Sequence, residues 1–256
     1  MADLIGSPAS AWQRAQLSRQ PLVSIVLPVL NAQRFLAQAL GSIQAQTYQN
    51  YELLIVDGGS TDGTAALARQ APGARFMPQT GAGLANAWNT GVRAAQGEYI
   101  SFIESDDLWF AEKLALQVAH LEQYPKHQYV IAQVQLFLEP GCARPPGLRP
   151  EVFEGSHVGR LPGALMARRS LFDQIGLFEE RWQVTPDIDW FARLAAEQVP
   201  GTELPEVLLF RRIHDSNLSQ VAGPVLIKSE LLQVLKQNLD RRRRRGSRES
   251  LANRDD

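Results

Sequence analysis

At 256 residues, with 45% hydrophobic and 21% charged side chains, the chain has ample material for a globular core, and its formal net charge of -1 removes any global bias toward nucleic acid or membrane. The single cysteine, Cys142, excludes an internal disulfide framework and a cysteine-rich zinc site. Ala2–Trp12 lacks the apolar core and basic flank of a secretory leader, and no apolar stretch approaches the ~18 residues that span a bilayer, so a soluble, cytoplasmic protein is expected.

Leu22–Leu27 is a short, nearly continuous apolar run ending at Pro28, the pattern of a strand buried on both faces. Asn31, just past its end, is placed to cap the next segment, where Phe35, Leu36, Ala39, Leu40 and Ile43 recur at helical spacing. Tyr51–Val56 is a second buried-strand pattern, ended by Asp57-Gly58-Gly59-Ser60, after which Thr61 or Asp62 caps a helix through Ala65–Gln70. Phe76-Met77 predicts a short third strand, Leu84–Ala95 a helix stopped by Gly97, and Tyr99–Ile103 a fourth strand.

Glu104-Ser105-Asp106-Asp107 follows that fourth strand directly. Three carboxylates within four residues repel one another, and two readings fit. One is a site for Mg²⁺ or Mn²⁺, whose preference for hard oxygen ligands matches the cluster and whose charge cancels the repulsion. The other is a solvated turn in which Asp106 or Asp107 caps a helix over Leu108–Leu121. Strands alternating with helices through short connections predict a parallel sheet covered on both faces, and such sheets bind ligands at the carboxyl ends of their strands. Asn31, Asp57 and Glu104–Asp107 all fall on that edge, which favours a site.

Beyond His120 the pattern loosens. Tyr129–Leu138 alternates in part, as a strand of a mixed sheet does, and Pro140–Pro150 is a loop rich in proline and glycine. A helix is expected from about Ser170, another over Asp187–Glu197, a last strand over Val207–Arg212 and an amphipathic helix over Leu226–Leu239, followed by a polar tail, Asp240–Asp256.

Four segments then carry a resemblance: Val23–Asn31, Glu52–Thr64, Ala87–Gly91 and Gly97–Asp107 resemble, in order, the family 2 glycosyltransferases of the GT-A fold. The resemblance runs from Pro21 to Ser219 and is more specific in its first half. It implies an α/β fold with a Rossmann-like, mostly parallel central sheet and helices on both faces. The implied single glycosyltransferase domain spans residues 21–220, with a nucleotide-binding half at 21–125 and an acceptor half at 126–220. Residues 1–20 form an N-terminal extension, and residues 221–256 a C-terminal helix and basic tail. The implied activity is hexosyltransferase-like: transfer of a sugar from a nucleotide-sugar donor, a UDP-sugar by default, with inversion and with Mn²⁺ or Mg²⁺. The acceptor class is a glycan, a lipid-linked molecule, or a peptide or protein.

Carried over position by position, Asp57 resembles the aspartate that accepts a hydrogen bond from the donor base, while Pro28 and Asn31 resemble the wall of the nucleotide pocket. Glu104, Asp106 and Asp107 resemble the family's D-x-D-D metal site, in which Asp106 and Asp107 meet the metal, the ribose or both; Glu104 stands where Asp is more usual. Asp187 lies in Thr185-Pro186-Asp187-Ile188-Asp189-Trp190, which resembles the acceptor-side Glu-Asp motif with Asp187 as catalytic base and Asp189 as second choice; Pro186 replaces the usual acidic neighbour. His214 resembles a late histidine that binds the metal or diphosphate oxygens. Arg211 and Arg212 read either as phosphate neutralisation or as a solvated face. Gly81-Ala82 stand where relatives often carry an acidic residue before the glycine matching Gly83.

The competing reading is a non-catalytic nucleotide-sugar binder of the same fold. A sugar nucleotidyltransferase is disfavoured because Pro28–Gln33 lacks a glycine-rich phosphate loop, and processive synthesis because no Gln-x-x-Arg-Trp motif is present. The run Arg241–Arg245 suits a solvated tail, non-specific nucleic-acid contact or peripheral contact with an anionic inner membrane face, and no specific nucleic acid is expected.

Overall fold

The computed structural model describes residues 19–145 and 147–252. The leader reading at Ala2–Trp12 and nearly all of the N-terminal extension lie outside the described residues. The elements run β1 (Val23–Val29), α1 (Leu36–Gln44), β2 (Tyr51–Asp57), α2 (Thr64–Arg69), β3 (Ala74–Pro78), α3 (Leu84–Ala94) and β4 (Tyr99–Phe102). There follow β5 (Leu108–Trp109), α4 (Lys113–Gln123), β6 (Tyr129–Leu138), β7 (His157–Val158), β8 (Leu165–Arg168) and α5 (Arg169–Ile175). The last are α6 (Pro186–Ala196), β9 (Gly201–Ile213), α7 (Leu218–Val221) and α8 (Gly223–Ala252). Among the described residues no helix is long and apolar enough to cross a membrane.

The sheet order is β3-β2-β1-β4-β8-β6-β9-β5, with β7 paired to β6. β3, β2, β1 and β4 are parallel, so their carboxyl ends share one edge. β8 then runs antiparallel to both β4 and β6, whereas β6 and β9 are parallel. Strand alternation divides the apolar residues between two cores. Val23, Ile25 and Leu27 of β1 face Leu36, Leu40 and Ile43 of α1 and Leu114 and Val118 of α4. Val26, with Leu54 and Val56 of β2, faces Trp88 and Val92 of α3 and the aromatic group Phe172, Phe178 and Trp190. α3 presses close to β1 because position 91 is glycine: a Cβ there would lie 2.3 Å from Val26 Cγ1.

Pro28 sits inside β1 rather than ending it. Val26 O accepts from Ile103 N on the β4 side, and the register with β4 stops at Val26–Phe102. Two residues on, Pro28 turns its missing N–H to that same, already unpaired side, so no ladder bond is lost.

Several local expectations are corrected. The expected helix over Leu108–Leu121 begins only at Lys113, because Leu108 and Trp109 are extended and pair with Phe210 and Leu209 of β9. Neither Asp106 nor Asp107 caps it. Asn31 does not cap α1, which starts at Leu36; Asn31 has a positive φ of 48° and its Oδ1 accepts from Thr61 N at 2.8 Å. α2 starts at Thr64 behind Gly63, with Asp62 Oδ1 accepting from Thr64 N at 2.9 Å. The last strand begins at Gly201 rather than Val207, its polar first half pairing with Tyr129–Ile131 before a bulge. The final helix continues through the arginine run to Ala252, so the expected tail is helical over most of its length.

Candidate functional site

The chain leaves β4 carrying Glu104, Asp106 and Asp107 to the shared carboxyl edge, and β9 with its following turn holds them there. Arg212 N donates to Asp107 Oδ1 at 2.9 Å, and Arg212 Nε donates to the Asp106 carbonyl at 2.8 Å. Asp106 Oδ2 accepts from Asn217 Nδ2 at 3.0 Å and lies 2.9 Å from His214 Nε2. Ser216 N donates to His214 Nδ1 at 3.3 Å, which assigns the ring proton to Nε2 and makes His214 a donor to Asp106.

Strand alternation separates the two arginines. Arg212 is buried, donates to Glu139 and Gln38, and stacks over Phe35 and Phe137 with its guanidinium carbon 4.6 and 4.7 Å from the ring centroids. Arg211 falls on the opposite face, half-buried, in the wall of an open cleft of about 150 Å³. Glu104, Asp106, Asp107 and Asp187 line the same cleft, with Trp88, Leu161 and Leu218 among its apolar groups. Trp88 Nε1 donates to Glu104 Oε1 at 3.1 Å.

Crowding and burial set the electrostatics. Desolvation, then the neighbouring charges of Asp106 and Asp107, push the Glu104 carboxyl well above the usual range against the Trp88 hydrogen bond and Arg211. Desolvation and then Asp106 push Asp107 up to about 8, opposed by Arg211 and Arg212. Desolvation also raises Asp187 to about 6, opposed by backbone N–H groups at the start of α6 and by Arg211. The raised values show carboxyl groups that resist ionising together without a counter-charge, and such clustered oxygen donors are the chemistry a hard divalent cation uses. Among the described residues no three His, Cys, Asp or Glu side chains form a ready-made metal cage.

Asp187 and Asp189 share the first turn of α6 but lie two residues, about 200°, apart around the helix. Asp187 faces the cleft. Asp189 is fully buried, with Oδ2 3.0 Å from Arg193 Nε and Oδ1 3.0 Å from Arg241 Nη1, and so locks α6 to α8. The segment entering α6 is fixed by Glu230 of α8, whose carboxylate accepts from the backbone N–H groups of Gln183, Val184 and Thr185 and from the Thr185 hydroxyl. Burial opposes the charged form of Glu230, yet these bonds hold its carboxyl below the usual range.

Asp57 and Asn31 lie beside the cleft on the same sheet edge and do not line it. Asp57 Oδ1 accepts from Ser60 N at 3.1 Å and Ser60 Oγ at 2.6 Å, and Ser60 Oγ accepts from Asn31 N at 3.0 Å. Pro28 is buried in β1 opposite Val56. The glycine at 81 has a steric reason: a Cβ there would meet Asn86 Nδ2 at 2.6 Å, while Gly81 N donates to Asn86 Oδ1 at 2.8 Å. Sequence reasoning missed Trp88 as a partner of Glu104, and Glu230 altogether. Trp88 reads as ordinary helical core, and nothing in an exposed-looking helix marks Glu230.

Comparison with known proteins gives the family and the fold. The family "Glycosyl transferase family 2" matches residues 24–176. An uncharacterized glycosyltransferase of Rickettsia typhi is 30% identical over 231 residues, covering 85% of this chain and 72% of the relative. The UDP-Glc:alpha-D-GlcNAc-diphosphoundecaprenol beta-1,3-glucosyltransferase WfgD of Escherichia coli is 38% identical over 101 residues, covering 38% of this chain and 40% of that protein. Among solved structures, S. aureus TarS 1-349 in complex with UDP-GlcNAc superposes with a TM-score of 0.63 at 17% identity, covering 79% of this chain and 61% of TarS 1-349. The mannosyltransferase PcManGT from Pyrobaculum calidifontis, in complex with GDP-Man and Mn²⁺, gives a TM-score of 0.64 at 22% identity, covering 87% of this chain and 65% of that one. This chain thus spans about three fifths of each of these two solved chains. It has the GT-A fold of those glycosyltransferases and belongs to glycosyl transferase family 2.

Proposed function

We propose that this protein transfers a sugar from a nucleotide-sugar donor, a UDP-sugar first, to an acceptor hydroxyl in one inverting, cation-dependent displacement. The observation that carries the reading is the cleft in which Asp187 of α6 confronts Asp106 and Asp107 from the end of β4, with Arg211 of β9 beside them. On the resemblance, Asp57 would accept from the donor base, with Pro28 and Asn31 forming the wall beside it. Asp106 and Asp107, with Glu104 behind them, are the groups that would hold Mn²⁺ or Mg²⁺. When bound there, the cation supplies charge to stabilise the diphosphate leaving group. His214 positions Asp106 and joins the cation only by giving up that hydrogen bond.

Asp187 takes the acceptor O–H proton as the acceptor oxygen bonds to the anomeric carbon, and the bond to the diphosphate breaks with its electrons leaving on the nucleotide. The apolar wall of Trp88, Leu161 and Leu218 limits water around the reacting carbon. The lipid-linked acceptor named for WfgD makes a diphosphate-lipid acceptor the first class to test.

A nucleotide-release screen over UDP- and GDP-sugars, with and without Mn²⁺ and with polyprenyl-diphosphate sugars as acceptors, tests the reading. Release that requires a donor, the metal and an acceptor is expected. Tight UDP binding with no turnover across the panel would instead establish a nucleotide-sugar binder. The two arginines give a sharper contrast. Arg211→Ala is expected to weaken donor binding about tenfold, with thermal unfolding unchanged. Arg212→Ala is expected to cost about 1.5–3 kcal/mol of stability, because it removes a buried guanidinium bonded to Glu139, Gln38 and the Asp106 carbonyl and stacked on two rings. Calorimetry and urea titration separate the two effects.

A further inference from the structure

α8 packs one face on α6, burying Glu230 and Val234, and leaves the other uncovered. Val225 is 82% exposed, Leu232 and Leu235 59% each, and Leu239 56%. Their spacing of seven, three and four residues aligns them as one stripe along the helix. Lys228 and Lys236, four residues before and after Leu232, and Arg243, four after Leu239, are exposed on the same side. The same helix then carries the rest of the run Arg241–Arg245. Up to Arg243 the acidic groups of α8 are Glu230, which faces inward, and Asp240 at the margin of the stripe.

We propose that this outer face of α8 is a docking surface for an anionic lipid membrane. Leucines flanked by lysine and arginine on one helical face are the pattern of a helix lying in the headgroup region, its apolar stripe sunk among acyl chains and its cations on the phosphates. Charge complementarity selects this occupant. A second copy would set lysine and arginine against lysine and arginine with no acidic stripe to answer them. A nucleic acid answers the cations and leaves the leucines in water. The surface also follows the cleft closely along the chain: Leu218, exposed on α7, lines the cleft mouth, and the exposed Val221 and Val225 follow on either side of the Ala222-Gly223 break between α7 and α8. A docked helix therefore brings the mouth to the membrane, where a lipid-carried acceptor would be presented. That last use rests on the transferase reading; the docking does not.

Co-sedimentation of the full chain with phosphatidylcholine vesicles, alone or mixed with phosphatidylglycerol, tests the proposal without donor or metal. Binding at least about tenfold stronger to the anionic vesicles, weakening as salt rises, is expected. The double variant Leu232→Ser with Leu235→Ser, unchanged in charge, should lose at least about tenfold of that binding while keeping wild-type thermal unfolding and UDP affinity. The proposal is overturned if binding is absent, if neutral vesicles bind equally, or if the leucine variant binds as well as wild type. It is equally overturned if the leucines hold a dimer in solution, or if duplex DNA outcompetes the anionic vesicles. Failure of wild-type protein to bind UDP would strike the transferase reading and leave the vesicle result standing.

Discussion

Asp187→Asn is expected to leave UDP binding intact while cutting sugar transfer by about 10²–10⁴-fold, the usual worth of a positioned general base. Asparagine is nearly isosteric and remains compatible with the first turn of α6, so the segment entering the helix, held by Glu230, keeps its place. What disappears is the proton acceptor. The pH dependence carries the same sign. A base works only when ionised, and burial raises Asp187 to about 6, so transfer should climb as pH rises through about 6 and level off above it. The variant should lose that limb. Asp189→Asn is the internal control: it removes a charge paired with Arg193 and Arg241, and should lower stability with far less effect on the rate once folded. Initial rates across this pH range, beside UDP calorimetry, decide the matter; wild-type transfer by Asp187→Asn would remove Asp187 from the base role.

Asp107→Asn should abolish the metal-dependent part of UDP binding, about 10²-fold in affinity with Mn²⁺ present. Asparagine can still accept from Arg212 N through its carbonyl oxygen, so the tie between β9 and the acidic turn survives and only the charge is lost. The substitution also relieves repulsion from Asp106, one of the causes that hold the Asp107 carboxyl near 8. The metal-free variant should therefore unfold at no lower a temperature than wild type. Titration of UDP with and without Mn²⁺ provides the test, and equal, metal-independent affinity in both forms would sink the cation assignment at Asp107.

The parallel half of the fold was legible because β1, β4 and most of β2 are buried on both faces and so appear as apolar runs between helical periodicities. The antiparallel half was not. β8 is four residues long and merges into α5 without punctuation, so Leu165–Arg168 reads as a lead into a helix, not as the strand joining β4 to β6. The first half of β9 carries Thr202, Glu203, Pro205 and Glu206, and that polarity hides a strand whose pairing with β6 supplies the reason to be extended. Leu108-Trp109 failed for the same cause: extension there depends on a partner strand about a hundred residues away.

At the site, the sequence by itself determined the chemistry available. Carboxylates crowd the end of a buried strand, two further aspartates open a late helix, and adjacent arginines precede a histidine. The order of those segments already resembled the family. Which member of each pair faces the cleft was decided only by tertiary structure. Residues two apart on a helix differ by about 200° and adjacent residues on a strand by 180°, so Asp187 and Arg211 enter the cleft while Asp189 and Arg212 turn away and are buried against other partners. Local sequence fixes such a period but not its phase, because the phase depends on which face meets a distant element: α8 for Asp189, and the Glu139 and Gln38 side chains for Arg212.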